Sequence, residues 1–258
     1  MRLHRALLTH NDCYLRGWTI RPQGVMVHST GANNPWLRRY LAPDDGRLGT
    51  PSPRHWNQGG VGACVHAMIG KLADGSVCTY QTLPWTMRGW HCGRSGNDTH
   101  IAFEICEDSL TDKGYFRATY QAAVELTAYL CQLYHLDPQA DGVVLCHSEG
   151  YARGIASNHA DVLHWWRKFG FSMDDFRRDV AEKMKGGERD LTEQEVRSIV
   201  REELAAAQSE RDKLPPSDWA RDQLAAAVAA GITDGTRPRS FATREEVAIM
   251  VRKALEGK

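Results

Sequence analysis

Eleven histidines occur in 258 residues, and a few of them sit where imidazoles can act together. His28 comes near the end of the run Val25-Met-Val-His-Ser-Thr30, just before Gly31. His147 ends Val143-Val-Leu-Cys-His147, just before Glu149-Gly150. Further on, Gly154-Ile-Ala-Ser-Asn-His-Ala-Asp-Val-Leu-His-Trp-Trp166 adds His159, Asp161 and His164, with Asp161 fourteen residues beyond His147. Two imidazoles and one carboxylate, leaving a fourth position to water, form the donor set of a catalytic zinc site. The competing reading is structural: partly buried histidines satisfied by backbone partners. No compact HExxH pair is present to decide between the two.

Such side chains work together only if rigid elements hold them at an open rim. Five short β-branched or alternating runs read as strands: 25–30, 63–69, 76–83, 100–106 and 143–147. Ala73-Asp74-Gly75 between the second and third has hairpin-turn chemistry. Between the last two strands, Ala123, Leu126, Leu130 and Leu133 recur at helical spacing, so one long helix over 117–135 crosses a sheet face. Ser172, with Asp175 three residues on, opens another helix whose apolar side carries Phe176, Val180 and Met184. The pattern breaks at Lys185-Gly-Gly-Glu188, where the composition turns from aromatic-rich to alanine- and charge-rich. A boundary therefore falls after residue 185. Thr192-Glu-Gln-Glu195 opens a helix to about Gln208, within a linker-and-helix stretch over 186–216, and 217–258 forms a small all-α region. The expected architecture is α/β: a mixed central sheet flanked by helices, plus that helical tail.

The bulk properties narrow the function classes. An apolar share of 42% with 25% charged residues allows a packed core rather than disorder. Lys plus Arg equals Asp plus Glu at 32 each, so no global field draws the chain to nucleic acid or anionic lipid. The start, Met1-Arg-Leu-His-Arg-Ala-Leu-Leu-Thr-His10, lacks the apolar run of a secretory signal, and no stretch is long enough to span a bilayer, so synthesis in the cytoplasm is expected. Seven cysteines without a close CxxC pair argue against a disulfide framework or a zinc ribbon.

Four motifs in order carry more information than any spacing. Val27-His-Ser-Thr-Gly31, Gly89-Trp-His-Cys-Gly93, His100-Ile-Ala-Phe-Glu-Ile-Cys-Glu-Asp108, and Cys146-His-Ser-Glu-Gly150 with Asn158-His-Ala-Asp161 resemble the type-2 N-acetylmuramoyl-L-alanine amidases, a family that shares its fold with peptidoglycan recognition proteins. The resemblance spans residues from about 20 to 185. It implies that His28, His147 and Asp161 hold Zn2+ and that Glu104 occupies the place of the catalytic acid. His159 stands where many members carry a lysine facing the scissile carbonyl. A histidine can also donate to an oxyanion, but it can be neutral near pH 7. His91 and Asn33 fall at substrate-groove or rim positions, with a structural role the alternative for each.

What the resemblance implies for function is zinc-dependent hydrolysis of the amide between N-acetylmuramic acid and L-alanine in peptidoglycan. A phage or prophage endolysin, acting on the wall after release, is the leading expectation. The alternatives are a cytosolic enzyme recycling muropeptides and a non-catalytic peptidoglycan-recognition module. The tail from Ser217 to Arg252 resembles a single S-layer-homology motif: an Asp-Trp-Ala helix start, Gly231-Ile-Thr-Asp-Gly235 as turn, and Thr243-Arg-Glu-Glu246 opening a second helix. That implies binding of cell-wall polysaccharide, with homo-oligomerisation and a ligand-free helical hairpin as the alternatives.

Overall fold

The computed structural model describes residues 3–42, 44–186, 201, 204, 207–209 and 211–256. These divide into two compact units, 1–188 and 189–258.

The first unit is built on a six-stranded sheet: β1 (Leu3–Arg5), β2 (Gly24–Ser29), β3 (Ala67–Lys71), β4 (Val77–Gln81), β5 (His100–Ile105) and β6 (Val144–Cys146). Their order across the sheet is β1-β4-β3-β5-β2-β6. Only the β3–β4 hairpin is antiparallel; every other neighbouring pair is parallel. The sheet is therefore mixed, as expected. At the hairpin turn Gly75 adopts φ +86° and Asp74 Oδ1 accepts hydrogen bonds from the Ser76 backbone N–H and hydroxyl. β2 is buried along its whole length, which explains why it reads as a nearly continuous apolar run.

Alternation along the strands makes two cores. Val25 and Val27 of β2, Ile101, Phe103 and Ile105 of β5, and Ile69 of β3 face one side. There they meet α2 (Lys113–Leu133), and also Trp165, Trp166 and Phe176. Met26, Met68, Ala102 and Leu145 face the other side, against Leu37, Leu41 and Leu48. His28 and Glu104 share the parity of Met26 and Ala102, so they belong to this second face. α2 begins at an Asp112 cap that accepts from the Gly114 and Tyr115 N–H groups, earlier than the periodicity alone placed it. α5 (Met173–Gly186) opens with Ser172 and Asp175 in a reciprocal capping box, and buries Phe176 and Val180.

Two expectations need correction. The run 63–69 becomes regular strand only from Ala67; Cys64 instead makes an isolated bridge to Trp90. His147 does not end a strand. It is the first residue of α3 (His147–Ala152), capped at Cys146, because the strand's last ladder position is already taken at Cys146. The amino-terminal β1 and the short helix α1 (Asp12–Arg16) went unread, since three and five residues are too few to show a period. All seven cysteines are free and buried.

In the second unit, helices occupy Arg221–Ala229 and Arg244–Glu256. The latter is opened by Thr243 and Glu246, each side chain accepting the other's backbone N–H. Gly231, at φ +66°, follows the end of the former. Thr192-Glu-Gln-Glu195 lies outside the described residues.

Candidate active site

The parallel pairing of β2 with β5 puts His28 and Glu104 in direct register, and the pairing of β2 with β6 puts Val27 beside Cys146. The first helical residue after β6 is His147. The carboxyl edge of the sheet thus gathers three side chains far apart in the sequence. Asp161 completes the group from the segment that precedes α4 (Leu163–Trp166), and its carbonyl accepts the Ser148 N–H.

His28, His147 and Asp161 are buried, and their donor atoms converge. His28 Nδ1 lies 3.0 Å from His147 Nδ1 and 3.1 Å from Asp161 Oδ2. His147 Nδ1 is 3.5 Å from the same carboxylate oxygen. Donors about 2.0–2.1 Å from a tetrahedral zinc stand roughly 3.3 Å apart, so the spacing fits that ion. The outer nitrogens agree. His28 Nε2 is 3.0 Å from His91 Nδ1, and His147 Nε2 is 3.2 Å from Ser157 Oγ. When each Nε2 carries the proton, both Nδ1 lone pairs and a carboxylate face one point, an arrangement a cation satisfies. Burial lowers the His28 pKa, against the opposing pull of Asp161. Burial by itself would raise the Asp161 carboxyl, but the two adjoining imidazoles, His147 and His28, hold it well below the usual range. Neutral imidazoles and an ionised carboxylate are the metal-binding forms.

Glu104 Oε2 is shielded from solvent and has no hydrogen-bond partner among the described residues. Its pKa is raised well above the ordinary carboxylate value, chiefly by burial and then by the charges of Asp161 and Glu107. A carboxylate made this basic, beside a metal-capable cluster, is suited to proton transfer. His159 stacks on His147 with ring centroids 4.6 Å apart, and its Nδ1 is 3.9 Å from Asp161 Oδ1. Its side chain is 64% exposed, so it faces solvent beside the cluster.

The remaining candidates separate. His91 joins the cluster through His28 rather than through an open groove, with its backbone N–H donating to Asn97 Oδ1. Its Nε2 is buried without a partner, and burial holds its pKa well below the ordinary value. Asn33 is exposed in the loop after β2 and makes no hydrogen bond to the cluster. His66 is not part of the site. Its Nε2 reaches the Met87 carbonyl at 2.7 Å and its Nδ1 accepts the Ala102 N–H at 3.0 Å, a fully satisfied buried histidine. Trp56 packs edge-on against Tyr40, and Trp90 lies against the second core.

Two supporting contacts escaped sequence reasoning. Buried Glu107 pairs with His164 Nε2 at 3.0 Å and accepts the Gly31 N–H at 3.2 Å, joining the loop after His28 to the helix after Asp161. Arg177 of α5 reaches both Glu149 oxygens at 3.0 Å and the Val144 carbonyl at 2.7 Å, bracing α3 and its His147 against β6. Glu107 and Glu149 both lie inside quoted motifs, a signal of sorts. Arg177 lies outside them all.

A mixed α/β sheet with a buried His-His-Asp cluster at its carboxyl edge, flanked by a buried glutamate of raised pKa, defines a class: hydrolases with a metal-capable site. The chain belongs to the Amidase_2 family, N-acetylmuramoyl-L-alanine amidase, whose model matches residues 18–162. It is accordingly an amidase, and the family's chemistry is hydrolysis of a peptidoglycan amide. Among solved structures, the Staphylococcus aureus hydrolase AmiA in complex with its ligand is 21% identical, with a TM-score of 0.53 over 71% of this chain and 83% of that one. The PlyG catalytic domain is 16% identical, covering 71% and 96% with a TM-score of 0.49. The catalytic domain of XlyA is 19% identical, covering 70% and 99% with a TM-score of 0.42. At 21% identity the likeness to AmiA is one of fold. No curated protein sequence matches the chain.

Proposed function

We propose that the chain is a zinc-dependent amidase that cuts the bond between N-acetylmuramic acid and L-alanine in peptidoglycan, of the phage or prophage endolysin kind. The observation that carries this reading is the convergence of His28 Nδ1, His147 Nδ1 and Asp161 Oδ2 within 3.0–3.5 Å of one another, with Glu104 in register beside His28. These three residues would hold zinc, which when bound supplies Lewis acidity for the carbonyl and lowers the pKa of a water toward about 7. Glu104 takes the proton from the attacking water and returns one to the departing alanine nitrogen. His159, exposed beside the cluster, donates to the oxyanion that develops on the scissile carbonyl, a contribution of roughly 3 kcal/mol if it matches other oxyanion donors. His91 and Ser157 keep the two imidazoles turned inward.

A recognition module without catalysis is disfavoured by the completeness of this set: three ligands and Glu104 are all present. The catalytic domain is assigned to 1–185, and 217–258 to wall-polymer binding or self-association, with 186–216 between them. Digestion of purified cell wall should expose new L-alanine amino termini, and a chelator should stop their release. No new termini in the absence of chelator would end the amidase assignment at this bond. For the tail, a chain truncated at Gly186 should lose wall affinity or oligomeric mass; if neither changes, 217–258 has neither role.

A further inference from the structure

The loop leaving β2 passes within a few residues from the candidate site to a second feature of the same sheet edge. After Asn34 the chain makes a 3-10 turn at Leu37–Arg39, and the segment that follows folds back over it. The Ser52 N–H donates to the Arg38 carbonyl at 2.8 Å, and the Trp56 N–H to the Tyr40 carbonyl at 2.8 Å. Between the two segments lies a cavity of about 440 Å³, whose lining includes Trp36, Arg38, Arg39, Arg54 and Trp56. This is away from His28, His147 and Asp161, none of which touches it.

Two properties of the cavity point to a ligand. The first is uncompensated charge: among the described residues, none of Arg38, Arg39 and Arg54 forms an ion pair. The chain as a whole is neutral, so three unpaired guanidiniums around one cavity are a local field rather than part of a general basicity. The second is preorganisation. The Arg38 guanidinium lies 4.6 Å over the Trp36 ring, whose neighbourhood also includes Lys71 at 5.9 Å, and the Arg39 guanidinium lies 5.5 Å over Tyr40. Stacking holds a guanidinium by its face and leaves its N–H edge free, the edge that binds carboxylate or phosphate in bidentate fashion.

We infer that this cavity binds an oxyanion carried by the cell-wall polymer, with the tryptophans contacting the adjoining sugar or peptide surface, and so anchors the wall beside the cleavage site. The inference rests on the wall-directed reading given above. The same oxyanion chemistry has two sources in a wall: carboxylates of the stem peptides and phosphates of attached glycopolymers. The site holds the polymer in register while the His28 cluster works on it, so its loss weakens wall binding.

The test is co-sedimentation of the full chain with purified walls on ice, comparing wild type with the double variant R39Q/R54Q. Both arginines are exposed, so folding is not at stake. A charge-matched control, R16Q/R117Q, removes two exposed arginines from α1 and α2. The expected result is a wall affinity about tenfold lower for R39Q/R54Q, from lost charge-assisted hydrogen bonds, and unchanged for the control. Raised salt should shrink the difference. Walls stripped of phosphate polymers with hydrofluoric acid, and walls with amidated carboxyls, then identify the source: wild type falls to the variant's level on whichever lacks the ligand. Equal binding by wild type and R39Q/R54Q, an equal loss in the control, or a difference that survives both treatments would overturn the inference. Release of L-alanine amino termini, scored separately on wild type, reports on the amidase reading. A wild type that binds through this cavity but releases none would sink that reading and leave this one standing.

Discussion

His28 and Glu104 face each other across the parallel β2–β5 pair, one residue opposite one, on the sheet face turned away from α2. This register places an unpartnered, unusually basic carboxylate next to a metal-capable imidazole with no loop between them. Replacing Glu104 with glutamine keeps the shape and removes the proton acceptor. Turnover of cell wall should fall by about 10²–10⁴-fold, the range of general acid–base catalysis. Zinc content measured on the purified variant should match wild type. Near wild-type turnover would remove Glu104 from the mechanism.

Asp161 and the two histidines should behave as one unit. Asp161→Ala, His28→Ala and His147→Ala should each lower the zinc-to-protein ratio after dialysis against a weak chelator. Each should also abolish release of amino termini. Restoring zinc in excess should recover wild type treated with chelator, but not these variants. Full metal retention by any of them would exclude that side chain as a ligand.

Glu107→Gln tests the tie between the two ligand-bearing segments. The carboxylate is buried, but its partner His164 is 31% exposed, so the cost falls short of that of a fully buried pair. A destabilisation of about 1–3 kcal/mol is expected, seen as a lower urea midpoint. Because Glu107 also holds Gly31, zinc affinity should weaken together with stability. His164→Gln should reproduce part of both effects. A Glu107→Gln protein with unchanged midpoint and zinc affinity would show that the pair positions nothing.

His66 gives the molecule an acid limit. Its pKa is pushed down to about 4 by burial, and both ring nitrogens are already committed, so a second proton would cost the bond from Ala102 N–H. In the unfolded chain an imidazole titrates near 6.5. Between these values the unfolded state binds the extra proton, so stability is fully present above about pH 6.5 and declines as pH falls toward 4. The loss from this residue is about 3 kcal/mol. Urea midpoints at pH 7, 5 and 4 should drop in that order, and His66→Gln should flatten the dependence. A slope unchanged in that variant would place the acid sensitivity elsewhere.

Much of this protein follows from short-range pattern. The apolar run of β2, the β-branched or alternating runs of β4 and β5, the turn at Asp74-Gly75, the Leu126-Leu130-Leu133 stripe of α2 and the Ser172 box of α5 are all local, set by side-chain pattern and by backbone groups a few residues apart. The residue types of the cluster were legible too, and the ordered motifs singled out His28, Glu104, His147 and Asp161 as candidates. Their convergence was not legible. His28 and Asp161 are 133 residues apart, and only the order β3-β5-β2-β6 brings them to one edge. The same holds for the contacts that orient them: Glu107 with His164, Arg177 with Glu149, and the segment over 50–56 laid across Arg38 and Tyr40. Each joins groups remote in sequence, and no periodicity encodes a partner. The sequence by itself determined the elements and the kinds of chemistry they carry. Which side chains meet, which nitrogen each histidine turns inward and which charges stay unpaired were decided by parallel pairing and two-sided burial of the sheet.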